Sequence, residues 1–141
     1  MFNSHKNITL ESLNKILENT LATHLGMEVT EIGTNYLIMK MPVDARTVQS
    51  FGMLNGGASL ALAETVGSLA ANISIGDDKI CVGLDINGNH IRAVRSGYVY
   101  GKASPIHIGN STHVWEIIIT DEHHKLVCVS RITMAILDKK I

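Results

Sequence analysis

The most apolar stretch of the chain, Gly56–Ile75 (GGASLALAETVGSLAANISI), contains a single ionisable residue, Glu64. Its apolar side chains spread around a helical projection instead of forming one stripe, which is typical of a helix covered on every side. Burying an unpaired carboxylate is costly, so such a group is usually paired, neutralised or used in chemistry. The sequence therefore predicts one long buried helix, with Glu64 as the first functional candidate.

The size and composition of the chain indicate one globular domain. Its 141 residues suffice for one core, so we expect a single domain over 1–141 whose residues 1–26 form an N-terminal helical segment. A net charge of −1 disfavours nucleic acid as the main partner. Cys81 and Cys128 lie far apart, outside any CxxC pattern, which favours reduced thiols in a cytoplasmic protein over a disulfide framework.

Neither a signal peptide nor a membrane contact is expected. The N-terminus MFNSHKNITLES is polar where a signal peptide needs an apolar core. The apolar run is long enough to span a bilayer, but Glu64, Asn72 and several small polar residues favour a buried helix in a soluble protein.

Hydrophobic periodicity divides the rest of the chain into short elements. A helix is expected from its N-cap Thr9 to about His24, with Gly26 as its stop. Alternation predicts a hairpin before the long helix and four strands after it, separated by turn residues. The predicted strands are Met27–Thr30, Tyr36–Val43, Lys79–His90, Gly97–Ile106, His113–Thr120 and Lys125–Leu137.

This element order predicts an α+β fold in which a curved antiparallel sheet wraps one long buried helix. A single sheet has too little area to cover a helix that is apolar all round, so the uncovered face predicts a dimer. The alternative is a two-layer α+β monomer with an ordinary helix. That arrangement does not explain why the helix lacks a polar stripe.

The sequence Asn55-Gly56-Gly57 at the predicted helix start is a candidate oxyanion site, because helix N-termini carry unpaired N–H groups and a positive dipole end. Alternatively it is only a turn, since Gly-rich turns are common. Glu64 lies ~12 Å further along the axis at ~1.5 Å per residue, too far to share one carbonyl with Gly56 in the same chain. Across an antiparallel pair of helices the two groups can meet, with Thr65 and Ser68 near the carboxylate.

Three segments together resemble the hotdog-fold acyl-CoA thioesterases: RTVQSFGMLNGGASLALAETVGS, VGLDINGNHIRAVRSGYVYGKA and IHIGNSTHVWEIIITDEHHKLVCVSRITMAIL. The resemblance runs from about Leu25 onward. Its closest branch hydrolyses aromatic acyl thioesters of CoA or of acyl-carrier protein, including 1,4-dihydroxy-2-naphthoyl-CoA and 4-hydroxybenzoyl-CoA. The resemblance implies the hotdog fold, an acyl-CoA substrate, no cofactor, and dimers that usually pair into tetramers.

The same resemblance implies a role for five residues. Glu64 is the catalytic carboxylate, as nucleophile or as general base toward water, and the Gly56 N–H polarises the thioester carbonyl. Gln49 holds that carbonyl or the attacking water, while Ser68 and His90 support the site. For His90 the residues alone leave open a surface or hydrogen-bonded histidine at a strand end.

The chain departs from the family pattern at Asn55, where the family commonly has histidine before the two glycines. Asparagine keeps a neutral amide donor that can polarise a carbonyl, but it does not titrate near neutral pH. If the usual histidine only donates a hydrogen bond, activity survives in reduced form. If it shuttles protons, activity largely vanishes.

Two arginines and one turn are candidates for binding the nucleotide of coenzyme A. Arg92 and Arg95 carry guanidinium groups suited to phosphate oxygens, and Ser111 lies in the turn Gly109-Asn110-Ser111. Equally, these residues form solvated turns between antiparallel strands. The pair His123-His124 lacks the spacing of a zinc site, so no metal is expected.

Two other functions compete with thioester hydrolysis. A non-catalytic acyl-CoA-binding hotdog protein needs only the pocket, and Asn55 favours it, but it gives Glu64 no role. A hotdog hydratase or dehydratase needs an Asp/His pair near the helix start, and the sequence has none there.

Overall fold

The computed structural model describes Phe2 and residues 7–140. Within them a long helix lies against one face of a six-stranded antiparallel sheet whose strand order is β1-β2-β4-β5-β6-β3. The elements are α1 (Leu10–Ile16), α2 (Leu21–His24), β1 (Glu28–Ile32), β2 (Leu37–Pro42), α3 (Gly56–Ile73), β3 (Lys79–His90), β4 (Tyr98–Ile108), β5 (Thr112–Asp121) and β6 (Leu126–Asp138).

The core lies between α3 and the sheet because side chains alternate across each strand. In β5 every second residue from His113 to Ile119 is buried against the helix side. The helix approaches closely at Gly67, where an added Cβ would lie 2.8 Å from Ile132 Cγ2 and 3.3 Å from Ile117 Cδ1. The predicted α+β fold with one long helix and an antiparallel sheet is therefore confirmed.

The N-terminal segment differs from the single helix that periodicity predicts. Thr9 is the N-cap, as expected, and forms a capping box with Ser12. The helix then breaks: Asn19 has φ 59°, in the left-handed region, and Thr20 caps a second short helix. Helix breaking here follows from polar residues that bond the local backbone, since the Thr20 hydroxyl donates to Leu17 O at 2.5 Å.

In the single chain α3 is not covered on every side, which differs from the expectation of a fully buried helix. Glu64 is exposed, and neighbouring residues on the same face are only half-buried. That face consists mainly of small and polar residues, which a hydropathy pattern does not distinguish from a buried surface. Its half-buried members are Leu60, Ala61, Thr65, Ser68 and Asn72.

Candidate active site

A pocket of about 330 Å³ lies at the N-terminal end of α3. Three elements meet there: the loop that follows β2, the first turn of α3 and the end of β3. The pocket brings together four of the residues singled out from the sequence: Gln49, Gly56, His90 and Arg92. The remaining lining residues are Met53, Leu54, Ser59, Ile91, Ala93 and Val127.

The first turn of α3 is capped by Asn55, whose Oδ1 accepts a hydrogen bond of 2.7 Å from the Gly57 N–H. This cap leaves the preceding N–H, that of Gly56, among the helix-start donors that have no intrahelical partner. The Asn55 amide nitrogen is a second donor at the same end. The structure thus explains an asparagine here as a helix cap, and its predicted role toward a carbonyl stays a prediction.

His90 fills the space beside Gly56. A Cβ added to Gly56 would lie 2.7 Å from His90 Nε2, so a side chain at this position would displace the imidazole. A backbone without a side chain also lets a ligand approach the N–H closely. The absence of a Cβ at Gly56 therefore serves both the packing of His90 and access to the helix start.

The loop that carries Gln49 is a tight turn held by its own backbone. The Gln49 N–H donates to Met53 O at 2.8 Å, and the Gly52 N–H donates to Gln49 O at 2.9 Å. The Gln49 side-chain Oε1 accepts from the Phe51 N–H, so the amide nitrogen is the group left to donate to a ligand. Arg95 Nη1 donates to Phe51 O at 3.0 Å and fixes the tip of the turn.

Glu64 lies outside this pocket, on the wall of a separate groove of about 430 Å³ between α3 and the N-terminal helices. The Glu64 Oε1 atom lies beside β3, since a Cβ added to Gly83 would be 3.0 Å from it. The neighbouring hydroxyls bond elsewhere: Thr65 donates to Ala61 O at 2.7 Å, and Ser68 lies 3.9 Å from Met134 Sδ. Neither hydroxyl holds the carboxylate in the single chain.

One stripe of α3 runs antiparallel to β3 and links the two regions. Gly56 lies against His90, and Glu64 lies against Gly83. The β6 partners of these two β3 residues are Cys128 and Met134, which are ~20 Å apart at ~3.3 Å per residue. One chain therefore does not bring Glu64 and the Gly56 N–H to the same atom, as the helical spacing predicts.

The nucleotide-binding candidates lie in three different places. Arg92 lines the pocket at the start of α3. Arg95 is engaged with the turn of Gln49 and lines a neighbouring cleft. Ser111 lies at the opposite end of the sheet, where its carbonyl accepts from the Ile136 N–H. Ile136 lies nine residues along β6 from Val127 of the pocket, which is ~30 Å at ~3.3 Å per residue.

Two buried titratable groups line neither cavity. Burial lowers the pKa of His113, and His107 lowers it further; the Trp115 indole N–H donates to His113 Nδ1 at 3.4 Å, which fits a neutral ring. Burial raises the pKa of the Cys128 thiol. No group of three or more His, Cys, Asp or Glu side chains within Phe2 and 7–140 has the arrangement of a metal site.

No helix among the described residues is long and apolar enough to cross a membrane.

Sequence reasoning missed the part that the N-terminal segment plays in the groove beside Glu64, which Ile16 and Leu21 help to line. The available signal was the pair of large apolar side chains at the end of α1 and the start of α2. An amphipathic pattern alone does not show whether such side chains cover the core or line a cavity.

Comparison with known proteins identifies this architecture. The model of the thioesterase superfamily matches residues 51–128. The 1,4-dihydroxy-2-naphthoyl-CoA hydrolase of Escherichia coli is 46% identical over 132 residues, which cover 94% of this chain and 97% of that protein. A thioesterase from Haemophilus influenzae has a crystal structure with a TM-score of 0.93 and 49% identity, covering 94% of this chain and 93% of that one.

Two crystal structures of a thioesterase from Staphylococcus aureus, 38% identical, are also similar, with TM-scores of 0.81 and 0.79. They cover 84% and 82% of this chain, and 99% and 97% of that one. Each is of a variant, one with a glutamate and the other with a glutamine replaced by alanine. The chain described here belongs to the thioesterase superfamily and has its hotdog fold. It is a thioester hydrolase.

Proposed function

We propose that the protein hydrolyses an aromatic acyl-CoA to the free acid and coenzyme A at a site shared by two subunits. Glu64 of one subunit supplies the carboxylate, and the Gly56 N–H of the other polarises the carbonyl. The observation that carries this proposal is the separation of the two groups into different cavities of one chain. A catalytic carboxylate and an oxyanion donor must act on one carbonyl.

The exposed edge of β3 supports a particular way of pairing. Strand β3 ends the sheet, and its apolar residues Val82 and Leu84 are exposed. If two β3 strands pair antiparallel with Gly83 of one opposite His90 of the other, the twofold axis falls between residues 86 and 87. Glu64 then lies beside the Gly56 N–H and His90 of its partner. We choose this register because, within one chain, Gly56 lies against His90 and Glu64 lies against Gly83.

The shared site provides each group that thioester hydrolysis needs. Glu64 either attacks the carbonyl carbon or takes a proton from the attacking water. The negative charge that develops on the carbonyl oxygen is stabilised by the Gly56 N–H and the α3 dipole, with the Gln49 amide as a further donor. If Glu64 activates water, the hydroxide adds to the carbonyl carbon, the C–S bond breaks, and the proton that Glu64 took passes to the coenzyme A thiolate. If Glu64 attacks instead, the C–S bond breaks to leave an acyl anhydride on Glu64, water hydrolyses that anhydride to the free acid and the carboxylate, and the proton released goes to the thiolate.

Relatives support the choice of residues and substrate. Gln49 and Glu64 stand at the same separation in sequence as the glutamine and glutamate replaced in the Staphylococcus aureus variants. The name of the Escherichia coli relative specifies a bicyclic aromatic acyl-CoA. Arg92, in the pocket next to Gly56, is a suitable partner for a coenzyme A phosphate.

Replacing the carboxylate tests the assignment directly. Glu64→Gln keeps the size and polarity of the side chain but can neither attack nor accept a proton, so we expect kcat for 2-naphthoyl-CoA to fall by about 1000-fold or more. The measurement is release of free thiol, with acyl-CoA binding followed by calorimetry. Glu11→Gln, an exposed carboxylate on α1, is the matched control and should keep wild-type kcat.

The outcomes separate the rival functions. Substantial turnover by Glu64→Gln contradicts the role of Glu64. Tight binding of acyl-CoA by the wild type without thiol release from any substrate would favour the non-catalytic binding protein instead.

A further inference from the structure

We propose that Arg95 is a positioning residue for the hydrolysis. Its guanidinium holds the backbone of Phe51, and Phe51 in turn holds the Gln49 amide in the orientation that donates to the thioester carbonyl. The inference rests on the proposed function, in which Gln49 is a donor to that carbonyl. Gln49 lines the pocket at the start of α3, whereas Arg95 lines the neighbouring cleft, so Arg95 acts through the turn and not by contact with the carbonyl.

A hydrogen bond inside the turn decides which way the Gln49 amide faces. The Phe51 N–H donates to Gln49 Oε1. Because a backbone N–H can only donate, the amide oxygen must face Phe51, and the amide NH2 is left for a ligand. Turning the amide over would set two donors against each other. The donor that the reaction uses therefore depends on where the Phe51 backbone lies.

The tip of the turn, residues 50–52, is held little by packing. The Phe51 side chain is 76% exposed, and Ser50 and Gly52 are exposed as well. Gly52 has φ 77°, in the left-handed region that glycine adopts without steric cost. Since burial contributes little here, hydrogen bonds must set the position of the tip.

Arg95 ties this tip to the segment that joins β3 to β4. Its Nη1 donates to Phe51 O at 3.0 Å, across 44 positions of sequence. A Cβ added to Gly52 would lie 3.8 Å from the same nitrogen, so the guanidinium lies alongside the tip. The preceding residue, Val94, is buried, and its carbonyl accepts from the Leu54 N–H at 2.7 Å. The charged donor thus extends from a fixed segment, and hydrogen bonds with a charged donor are the stronger ones.

The same guanidinium is a candidate ligand for a coenzyme A phosphate, and the two roles differ in the substrates that they affect. A phosphate ligand affects only a thioester that carries the nucleotide, chiefly through KM. A residue that orients Gln49 affects the carbonyl, and therefore kcat, whatever the thiol is. The N-acetylcysteamine thioester of 2-naphthoic acid has the carbonyl without the nucleotide, so it separates the two roles from each other.

A double-mutant cycle tests the proposal, with kcat measured by thiol release from 2-naphthoyl-CoA and from the N-acetylcysteamine thioester. Arg95→Ala should lower kcat by about 10-fold for both, because a misplaced donor loses part of the roughly 100- to 1000-fold that one oxyanion donor supplies. Added to Gln49→Ala, it should lower kcat by no more than about twofold, since no amide is left to orient. Arg46→Ala, which removes an exposed guanidinium bonded to Asp44, should keep wild-type kcat.

A conservative variant and thermal unfolding of every variant guard against a folding defect. Arg95→Lys keeps a charged donor and should recover part of the kcat lost in Arg95→Ala, but only when the Gln49 amide is present. Wild-type kcat in Arg95→Ala, an equal loss with and without the Gln49 amide, or a loss confined to the CoA thioester would overturn the proposal. Wild-type kcat in Gln49→Ala would remove its premise and overturn it too. If wild-type protein releases no thiol from either substrate, the proposed function itself fails.

Discussion

The two edges of the sheet differ in what covers them. At the β1 edge, the side chain of Asn14 pairs with the N–H and C=O of Val29 much as a neighbouring strand would. At the β3 edge, apolar side chains are left exposed, with Leu84 at 63% and Val82 at 40%. Long exposed apolar edges invite pairing with another chain, and proteins usually protect them.

Under the proposed shared site, the chain closes one edge itself, and the other edge pairs with a second copy. The uncovered face of α3 and the carboxylate of Glu64 lie toward the open edge, beside Gly83. The helices that cover the β1 side instead form the outer wall of the groove beside Glu64. The β1 edge thus carries a stable wall of the groove, and the β3 edge is expected to complete the site by pairing with a second chain.

Among changes that distinguish the two edges, the largest expected effect comes from charging the open edge. Val82→Lys with Leu84→Lys would place charges in the exposed apolar patch of β3, and lysines on an edge strand oppose its pairing with another chain. We expect a monomer by light scattering and a fall in kcat/KM of about 100-fold or more. Thr34→Lys with Asn35→Lys adds the same charges in the exposed β1–β2 turn and should change neither. A double variant at β3 that stays dimeric and active would contradict the shared site.

A smaller effect is expected at the closed edge. Asn14→Ala leaves the backbone of the buried Val29 without two hydrogen bonds, which should lower the free energy of unfolding by about 1–3 kcal/mol. The check is a urea titration in which the midpoint falls at constant m-value. Light scattering should still report the wild-type oligomer. A change of oligomeric state here would erase the distinction between the two edges.

The smallest effect concerns the core between the edges. Because burial lowers the pKa of His113, the native state holds it neutral while the unfolded chain takes up a proton near the ordinary value of about 6.5. Acid therefore favours unfolding, and the free energy of unfolding should fall as pH drops from 7 to 5. His113→Gln, which keeps an acceptor for Trp115, should flatten this dependence.

The same pH dependence should persist in the monomeric β3 variant, because it belongs to a single chain. Parallel pH profiles for wild type and His113→Gln would show that another group is responsible.

The strands were predictable from sequence because β-branched alternation and turn residues act locally. Predicted Lys79–His90 agrees with β3, and predicted His113–Thr120 differs from β5 by one residue at each end. The break at Asn19 was not predicted, since a left-handed residue inside an amphipathic pattern leaves the hydrophobic spacing almost intact. Periodicity reports which side chains are apolar and does not report where the backbone turns.

The candidate site was predictable only in part. Helical rise alone separates Gly56 from Glu64, and the structure keeps them in different cavities. The exposure of Glu64 was not predictable. Composition does not distinguish a helix face that is covered by its own chain from a face that its own chain leaves exposed. The different roles of the two arginines were not predictable either, because both carry the same guanidinium group. Arg92 lines the pocket, whereas Arg95 holds the turn of Gln49.

The two cysteines have a practical consequence for anyone following the reaction. Both Cys81 and Cys128 are buried, and the raised pKa of the Cys128 thiol keeps it protonated and unreactive near neutral pH. A disulfide reagent added to detect free coenzyme A therefore meets the product thiol in solution long before it meets the folded protein. The background colour of such an assay reports unfolding, so one cuvette records both catalysis and the integrity of the core.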